Sequence, residues 1–257
     1  MNKDIEIITI KALSDNYIWL LRNHSKKLTA VVDPAEAEPV EEILLKNNWE
    51  LNQIINTHHH YDHTNGNLKL KEKYSAVLIA PKLEQDKIQN IDHSVEDGDT
   101  IDIAGLPAKI IHTPGHTIGH MAFYCKKLSA VFTGDSLMAL GCGRLFEGTA
   151  FQMLRSLKKI SSLPNETMVY SGHEYALNNG KFALSLEPNN QSLAERVEKI
   201  KNNLKANRPN VPVSLQEEKK TNPFLRYNVP TLKQMLMMDN NSEEEIFAAL
   251  RNMKDNF

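Results

Sequence analysis

Thr57-His58-His59-His60-Tyr61-Asp62-His63 closes an apolar, strand-like run at 51–56, and the rest of the chain is best read outward from it. In extended backbone, residues two apart point to the same side, so His58 and His60 can grip one metal ion together. Asp62 and His63 lie just beyond, where a turn aims them at a second ion nearby. Imidazole and carboxylate donors suit zinc, iron or manganese. The lack of cysteine in the run argues against a closed structural zinc site.

Two ions need more ligands than this stretch supplies, and further donors stand at loop positions just past other strand-like runs. His116 follows 109–113 through Pro114-Gly115, Asp135 follows 130–133 through Gly134, and His173 follows 168–170 through Ser171-Gly172. Each has a glycine directly before it, which lets the backbone approach a crowded site closely. The natural partition gives His58, His60 and His116 to one ion and Asp62, His63 and His173 to the other, with Asp135 bridging. His59 alternates away from its neighbours and is assigned to packing or to orienting a ligand. His24, His93, His112 and His120 are assigned structural or exposed positions.

The bulk numbers fit a soluble globular protein. The chain has 257 residues, 41% hydrophobic and 24% charged, enough for one large domain or two modest ones. Thirty basic residues face 32 acidic ones, without the basic surplus of a nucleic-acid binder. The two cysteines, Cys125 and Cys142, imply no disulfide framework and suit a reducing compartment. No stretch approaches the roughly 20 apolar residues of a membrane helix, and the first residues argue against a signal peptide, so none is expected. A cytoplasmic protein is expected, working as a monomer on a small molecule, without nucleic acid or membrane.

Short strands alternate with helices over 1–173, at 5–11, 17–22, 30–33, 51–56, 77–80, 109–113, 121–125, 130–133 and 168–170, with a helix at 40–47. From Tyr175 the strand signals vanish, and helices are expected at 175–186, 193–206, 231–238 and 242–254. Ser242 with Glu245 predicts a capping box for the last. The division falls between a catalytic domain, 1–173, and a helical domain, 174–257. The charge runs 69–73 and 217–220 are expected on solvated faces, and Met235, Met237 and Met238 in a helix core. Gly141-Cys142-Gly143 is no dinucleotide loop, because Phe146 stands where the third glycine belongs.

The H-x-H-x-D-H pattern with separate His, Asp and His ligands resembles the metallo-β-lactamase superfamily. That implies an α+β fold: an αββα sandwich, followed here by a small all-helical C-terminal domain. A closer resemblance is to glyoxalase II, the hydroxyacylglutathione hydrolases. It is carried by Leu13-Ser14-Asp15-Asn16-Tyr17-Ile18-Trp19, Thr113-Pro114-Gly115-His116-Thr117 and Phe132-Thr133-Gly134-Asp135-Ser136-Leu137. Gly141-Cys142-Gly143-Arg144-Leu145-Phe146-Glu147-Gly148-Thr149, Gly172-His173-Glu174-Tyr175 and the tail 251–257 add to it. It implies that Arg144, Phe146, Tyr175, Arg251 and Lys254 bind glutathione, whose two carboxylates suit Arg and Lys donors. Phe146 stands where animal members carry tyrosine, and Arg144 where they carry lysine.

The implied reaction is hydrolysis of S-D-lactoylglutathione to D-lactate and glutathione, the second step of methylglyoxal detoxification. Two divalent ions, zinc with iron or manganese as alternatives, would hold a bridging hydroxide, since metal binding lowers water's pKa from about 15.7 toward about 7. Asp62 and Asp135 are the expected catalytic carboxylates, anchoring the second ion and the bridge. Asp33 either orients a ligand histidine or simply occupies a turn. Rival readings are a lactonase, a β-lactamase or a processing nuclease of the same superfamily, an iron-dependent persulfide dioxygenase, and a non-catalytic metal binder.

Overall fold

The computed structural model describes residues 4–257, which divide into two compact units. The first comprises the residues up to His112 together with Gly119–Gly134. Its elements are β1 (Ile5–Ala12), β2 (Asn16–Asn23), β3 (Leu28–Val32), α1 (Glu38–Asn47), β4 (Gln53–Ile55), α2 (Tyr61–Thr64), α3 (Asn67–Tyr74), β5 (Val77–Pro81), β6 (His93–Val95), β7 (Thr100–Ile103), β8 (Leu106–His112), β9 (Met121–Cys125) and β10 (Ala130–Gly134).

One sheet of this unit runs β1-β2-β3-β4-β5-β6. The first three strands are antiparallel and joined by tight turns, while β3 to β6 pair parallel. Parallel neighbours cannot be joined by a hairpin, so α1 crosses from β3 to β4, and α2 with α3 from β4 to β5. All eight residues of β2 are buried, as a strand covered on both faces requires. On one face Ile18, Leu20, Val31, Ile54 and Leu78 form a core with Val40 and Leu44 of α1 and Leu70 of α3. The other face buries Trp19, Leu21, Val32, Ile55 and Ile79. A second, antiparallel set of strands runs β10-β9-β8-β7. Gln53 ties the two sets, donating to Asp102 O at 2.7 Å and accepting from Ala104 N at 2.8 Å.

The second unit comprises Thr113–Ile118 and Asp135–Phe257. It holds the hairpin β11 (Leu137–Met138) and β12 (Gly141–Cys142), then α4 (Ala150–Ser161), β13 (Met168–Ser171), α5 (Ala176–Leu186), α6 (Gln191–Lys205), β14 (Val213–Ser214), α7 (Leu215–Thr221), α8 (Pro223–Arg226), α9 (Pro230–Leu236) and α10 (Glu243–Asp255). Helix α4 begins at a capping box, Thr149 with Gln152, and buries Met153, Leu154, Leu157 and Ile160 along one stripe. The expected capping box of Ser242 and Glu245 opens α10. Phe182, Phe224 and Phe247 pack ring on ring at the centre of the helices, with centroids 6.3 and 5.6 Å apart.

Three sequence expectations need correction. The tail is not wholly helical, because β14 pairs antiparallel with β13. The run 217–220 is not uniformly solvated: Glu218 on α7 is 0% exposed, held by Arg196 and Asn222. Met235 and Met237 are exposed rather than core, because α9 stops at Leu236 with Met237 as its left-handed cap. By contrast, Lys69 and Lys73 do lie on a solvated face, on α3, paired with Glu38 and Glu41 of α1.

Candidate metal centre

In the first unit the donors gather past the carboxyl ends of two neighbouring parallel strands, where open α/β sheets place their ligands. Asp33 follows β3, and His58 to His60 follow β4. His60 keeps extended backbone as the cap of α2, and that single helical turn carries Asp62 and His63. His58 Nε2 and His60 Nδ1 converge to 3.0 Å, as the two-residue spacing predicted. Asn56 fastens the turn by donating to His63 O at 3.0 Å.

What lies behind each ring decides which nitrogen is offered. Asp33 Oδ2 can only accept, so its 3.0 Å contact fixes the proton of His63 on Nδ1 and leaves Nε2 as a lone pair. Thr57 Oγ1–H is committed to Asp33 Oδ2 at 2.7 Å, so its oxygen accepts from His58 Nδ1 at 3.0 Å, and His58 likewise presents Nε2. Asp33, 3% exposed and also accepting from Thr57 N at 2.8 Å, therefore orients the His63 ring and faces its side away from Nε2. Asn16, from the Ser14-Asp15-Asn16 turn, donates to Asp62 Oδ2 at 3.1 Å and to Asp62 O at 2.9 Å. His59 turns away to a buried partner, Glu84. His120 is fully buried and stacks on His58, while His24 pairs with Glu6 at the surface.

The second unit brings its own three candidates together. His116 Nε2 and His173 Nε2 each lie 3.3 Å from Asp135 Oδ2. All three residues are at most 5% exposed. His116 donates its Nδ1 proton to Arg144 O at 2.8 Å, which turns its Nε2 toward Asp135. Gly143 makes this approach possible: a Cβ there would stand 2.0 Å from Asp135 O and 3.1 Å from His116 Nδ1. Gly134, just before Asp135, has φ +45°, a conformation that glycine adopts without steric cost. The ring of Phe146 lies 5.2 Å from that of His116, and Tyr175 stacks on His173 at 4.8 Å.

Imidazoles whose far nitrogen is pinned to an acceptor, set beside two carboxylates, form a donor set made for a borderline divalent cation. The donor chemistry fits metal ions in both units.

The residues expected to meet glutathione also belong to the second unit. Arg144, Phe146 and Tyr175 are exposed. Burial, then the charges of Arg251 and Arg144, lowers the pKa of Lys254 from its ordinary range. Arg251 is 5% exposed, donating to Cys142 O at 2.8 Å and to Asp255 Oδ1 at 2.8 and 3.1 Å. Sequence reasoning missed Asn16 and Glu84, and it left Asp33 undecided, because each meets its partner across a long stretch of chain.

Two family descriptions match. "Metallo-beta-lactamase superfamily" matches residues 13–173, and "Hydroxyacylglutathione hydrolase C-terminus" matches 174–257. A hydroxyacylglutathione hydrolase of Ruegeria pomeroyi is 43% identical over 98% of this chain and 99% of its own. One from Pelagibacter ubique is 44% identical over 98% of this chain and 100% of its own. Among solved structures, ETHE1 from Myxococcus xanthus superposes with a TM-score of 0.66 at 22% identity, covering 98% of this chain and 100% of that one. That likeness shows the metallo-beta-lactamase fold.

Proposed function

The chain belongs to the hydroxyacylglutathione hydrolase family, and from that premise we propose that the thioester it cleaves is S-D-lactoylglutathione, giving D-lactate and glutathione in methylglyoxal detoxification. It is a thioester hydrolase of the metallo-beta-lactamase superfamily. In this proposal His58, His60 and His116 hold one divalent ion and Asp62, His63 and His173 the other, with Asp135 shared between them. Zinc is the metal assigned, and the same donors accept iron or manganese. The observation that carries it is the set of acceptors behind Nδ1 of His58, His63 and His116, which turns each Nε2 toward a neighbouring donor atom.

When bound, the ions supply a nucleophile at neutral pH and a Lewis acid for the carbonyl oxygen. The chain's own groups do the rest. Asp33, Thr57 and the Arg144 carbonyl hold the Nδ1 protons in place, so the donor set does not reorganise when a cation arrives. Asp62, steadied by Asn16, and Asp135 bring negative charge to that set and are the catalytic carboxylates. Arg144 and Lys254, with Arg251 adding charge from its buried position, attract the carboxylates of glutathione. Phe146 and Tyr175 offer apolar faces to the tripeptide. The leaving group is a thiolate, stable enough near neutral pH to depart without a dedicated acid.

Residues 1–173 carry the chemistry in this scheme and 174–257 the recognition of glutathione. Cys125 and Cys142 are buried free thiols, which suits a reducing cytoplasm. The test is the loss of thioester absorbance of S-D-lactoylglutathione with metal-replete and chelator-stripped protein side by side. Hydrolysis that vanishes on stripping and returns with metal is expected. His58→Ala should lose activity and metal together. An untouched thioester with replete protein would overturn the substrate assignment.

A further inference from the structure

Between Ser136 and Arg144 the chain makes a tight hairpin, β11 and β12, whose tip residue Leu140 sits at φ 58°, in the left-handed region that a branched side chain avoids. The helices of the same unit hold this hairpin residue by residue. Asn222, the cap of α8, donates to Met138 O at 3.2 Å and Gly141 O at 3.0 Å. Asn179 of α5 donates to Ala139 O at 3.0 Å. Glu218 of α7 accepts from Leu140 N at 3.1 Å. Arg251 of α10 donates to Cys142 O at 2.8 Å. Every residue from 138 to 142 thus has a backbone group bound by a side chain of the helical tail. Those four residues are at most 6% exposed.

The hairpin leads straight into the candidate centre. Gly143 N donates to Ser136 O at 3.1 Å, and the next carbonyl, that of Arg144, accepts the Nδ1 proton of His116 at 2.8 Å. We infer that Asn179, Glu218, Asn222 and Arg251 are positioning residues that set metal affinity, by fixing the hairpin whose Arg144 carbonyl aims His116. This rests on His116 being a metal ligand, as proposed above. It gives Arg251 a role that differs from a direct contact with glutathione. Its guanidinium is spent on Cys142 O and on both bonds to Asp255 Oδ1, and it is stacked over Phe224 with its carbon 5.0 Å from the ring centre.

The experiment is cobalt(II) titration of metal-free full-length protein, read from the visible d–d bands, for the parent, Arg251→Met, Arg251→Lys and Asn179→Ala. Thermal melting followed by circular dichroism reports the fold of each. Loss of an outer hydrogen-bonding partner typically weakens metal binding by about 10–100-fold, and a loss in that range is expected for Arg251→Met and Asn179→Ala. Arg251→Lys retains a donor for Cys142 O and should recover part of it. A parental cobalt affinity in folded Arg251→Met, with only a raised KM, would overturn the inference and make Arg251 a substrate contact. Should Arg251→Met not fold, Asn179→Ala decides, because it touches the hairpin through Ala139 O and carries no charge for glutathione. Parental affinity there overturns the inference too. A parent that takes up no cobalt removes the metal reading itself, and this inference with it.

Discussion

Replacing Asp33 with asparagine tests the placement of a single proton. The carboxylate accepts from Thr57 N through Oδ1 at 2.8 Å, and from Thr57 Oγ1 and His63 Nδ1 through Oδ2 at 2.7 and 3.0 Å. Asparagine keeps the shape but converts one oxygen into a donor. If the remaining oxygen stays on Thr57 N, the amide NH2 faces His63, whose Nδ1 must then accept. The imidazole proton moves to Nε2, the nitrogen a metal needs. Turning the amide over restores His63 but sets NH2 against Thr57 N–H, where Thr57 is 0% and His63 1% exposed. A buried donor left unsatisfied costs about 1–3 kcal/mol. Either arrangement charges that cost to metal binding or to folding, so affinity should drop about 10–100-fold, or about 1.4–2.7 kcal/mol. Competition of the metal-free variant against a chromophoric chelator for zinc measures it, with a melting curve run in parallel. Parental affinity at an unchanged melting temperature would refute the tautomer argument.

Three further outcomes follow from the geometry. Gly143→Ala places a Cβ 2.0 Å from Asp135 O, an overpacking of about 1–3 kcal/mol or more, so a lower melting temperature and reduced metal content are expected; full metal content would mean the loop yields. Burial pushes the Cys142 thiol up to about 11, so alkylating reagents at pH 8 should spare it in the native protein and Cys142→Ala should keep its turnover; lost turnover with metal retained would reveal a nucleophile. Lys254 titrates below the ordinary lysine value, first because it is buried and then because of Arg251 and Arg144. Its charged form is the one that binds a carboxylate, so KM should be low below that lowered pKa and climb as pH rises through it. Lys254→Met should show a raised KM without the climb, and an identical pH profile in the variant would clear the lysine of that role.

The part of the site that was legible in the sequence is the part written in short-range spacing. His58 and His60 were paired by alternation, and they converge. His116, Asp135 and His173 were expected just past strand ends, and β8, β10 and β13 end shortly before them. The resemblance carried the fold class and the activity. Hydrogen bonds across long separations left no such trace. Asp33 meets Thr57 and His63 across 24 and 30 residues, Glu84 meets His59 across 25, and Arg251 reaches Cys142 across 109. A polar residue with a distant partner looks, in sequence, like any surface residue, and Glu218 was misplaced on a solvated face for that reason. Helix α4 was missed, although Met153, Leu154, Leu157 and Ile160 carry its 3.6-residue stripe in the sequence. Strands β6, β7, β11 and β12 are too short for alternation to register.

The grip of the tail on residues 138–142 bears on how such chains can be recombined. A helical tail transplanted from a relative would arrive with side chains shaped to another hairpin, while the recipient's hairpin lost the amides, carboxylate and guanidinium that hold its backbone. The unit of exchange is therefore the tail together with the hairpin. Chimeras cut at residue 174 should inherit the recipient's ligands yet load metal poorly, whereas a donor segment that also supplies 136–144 should load it fully.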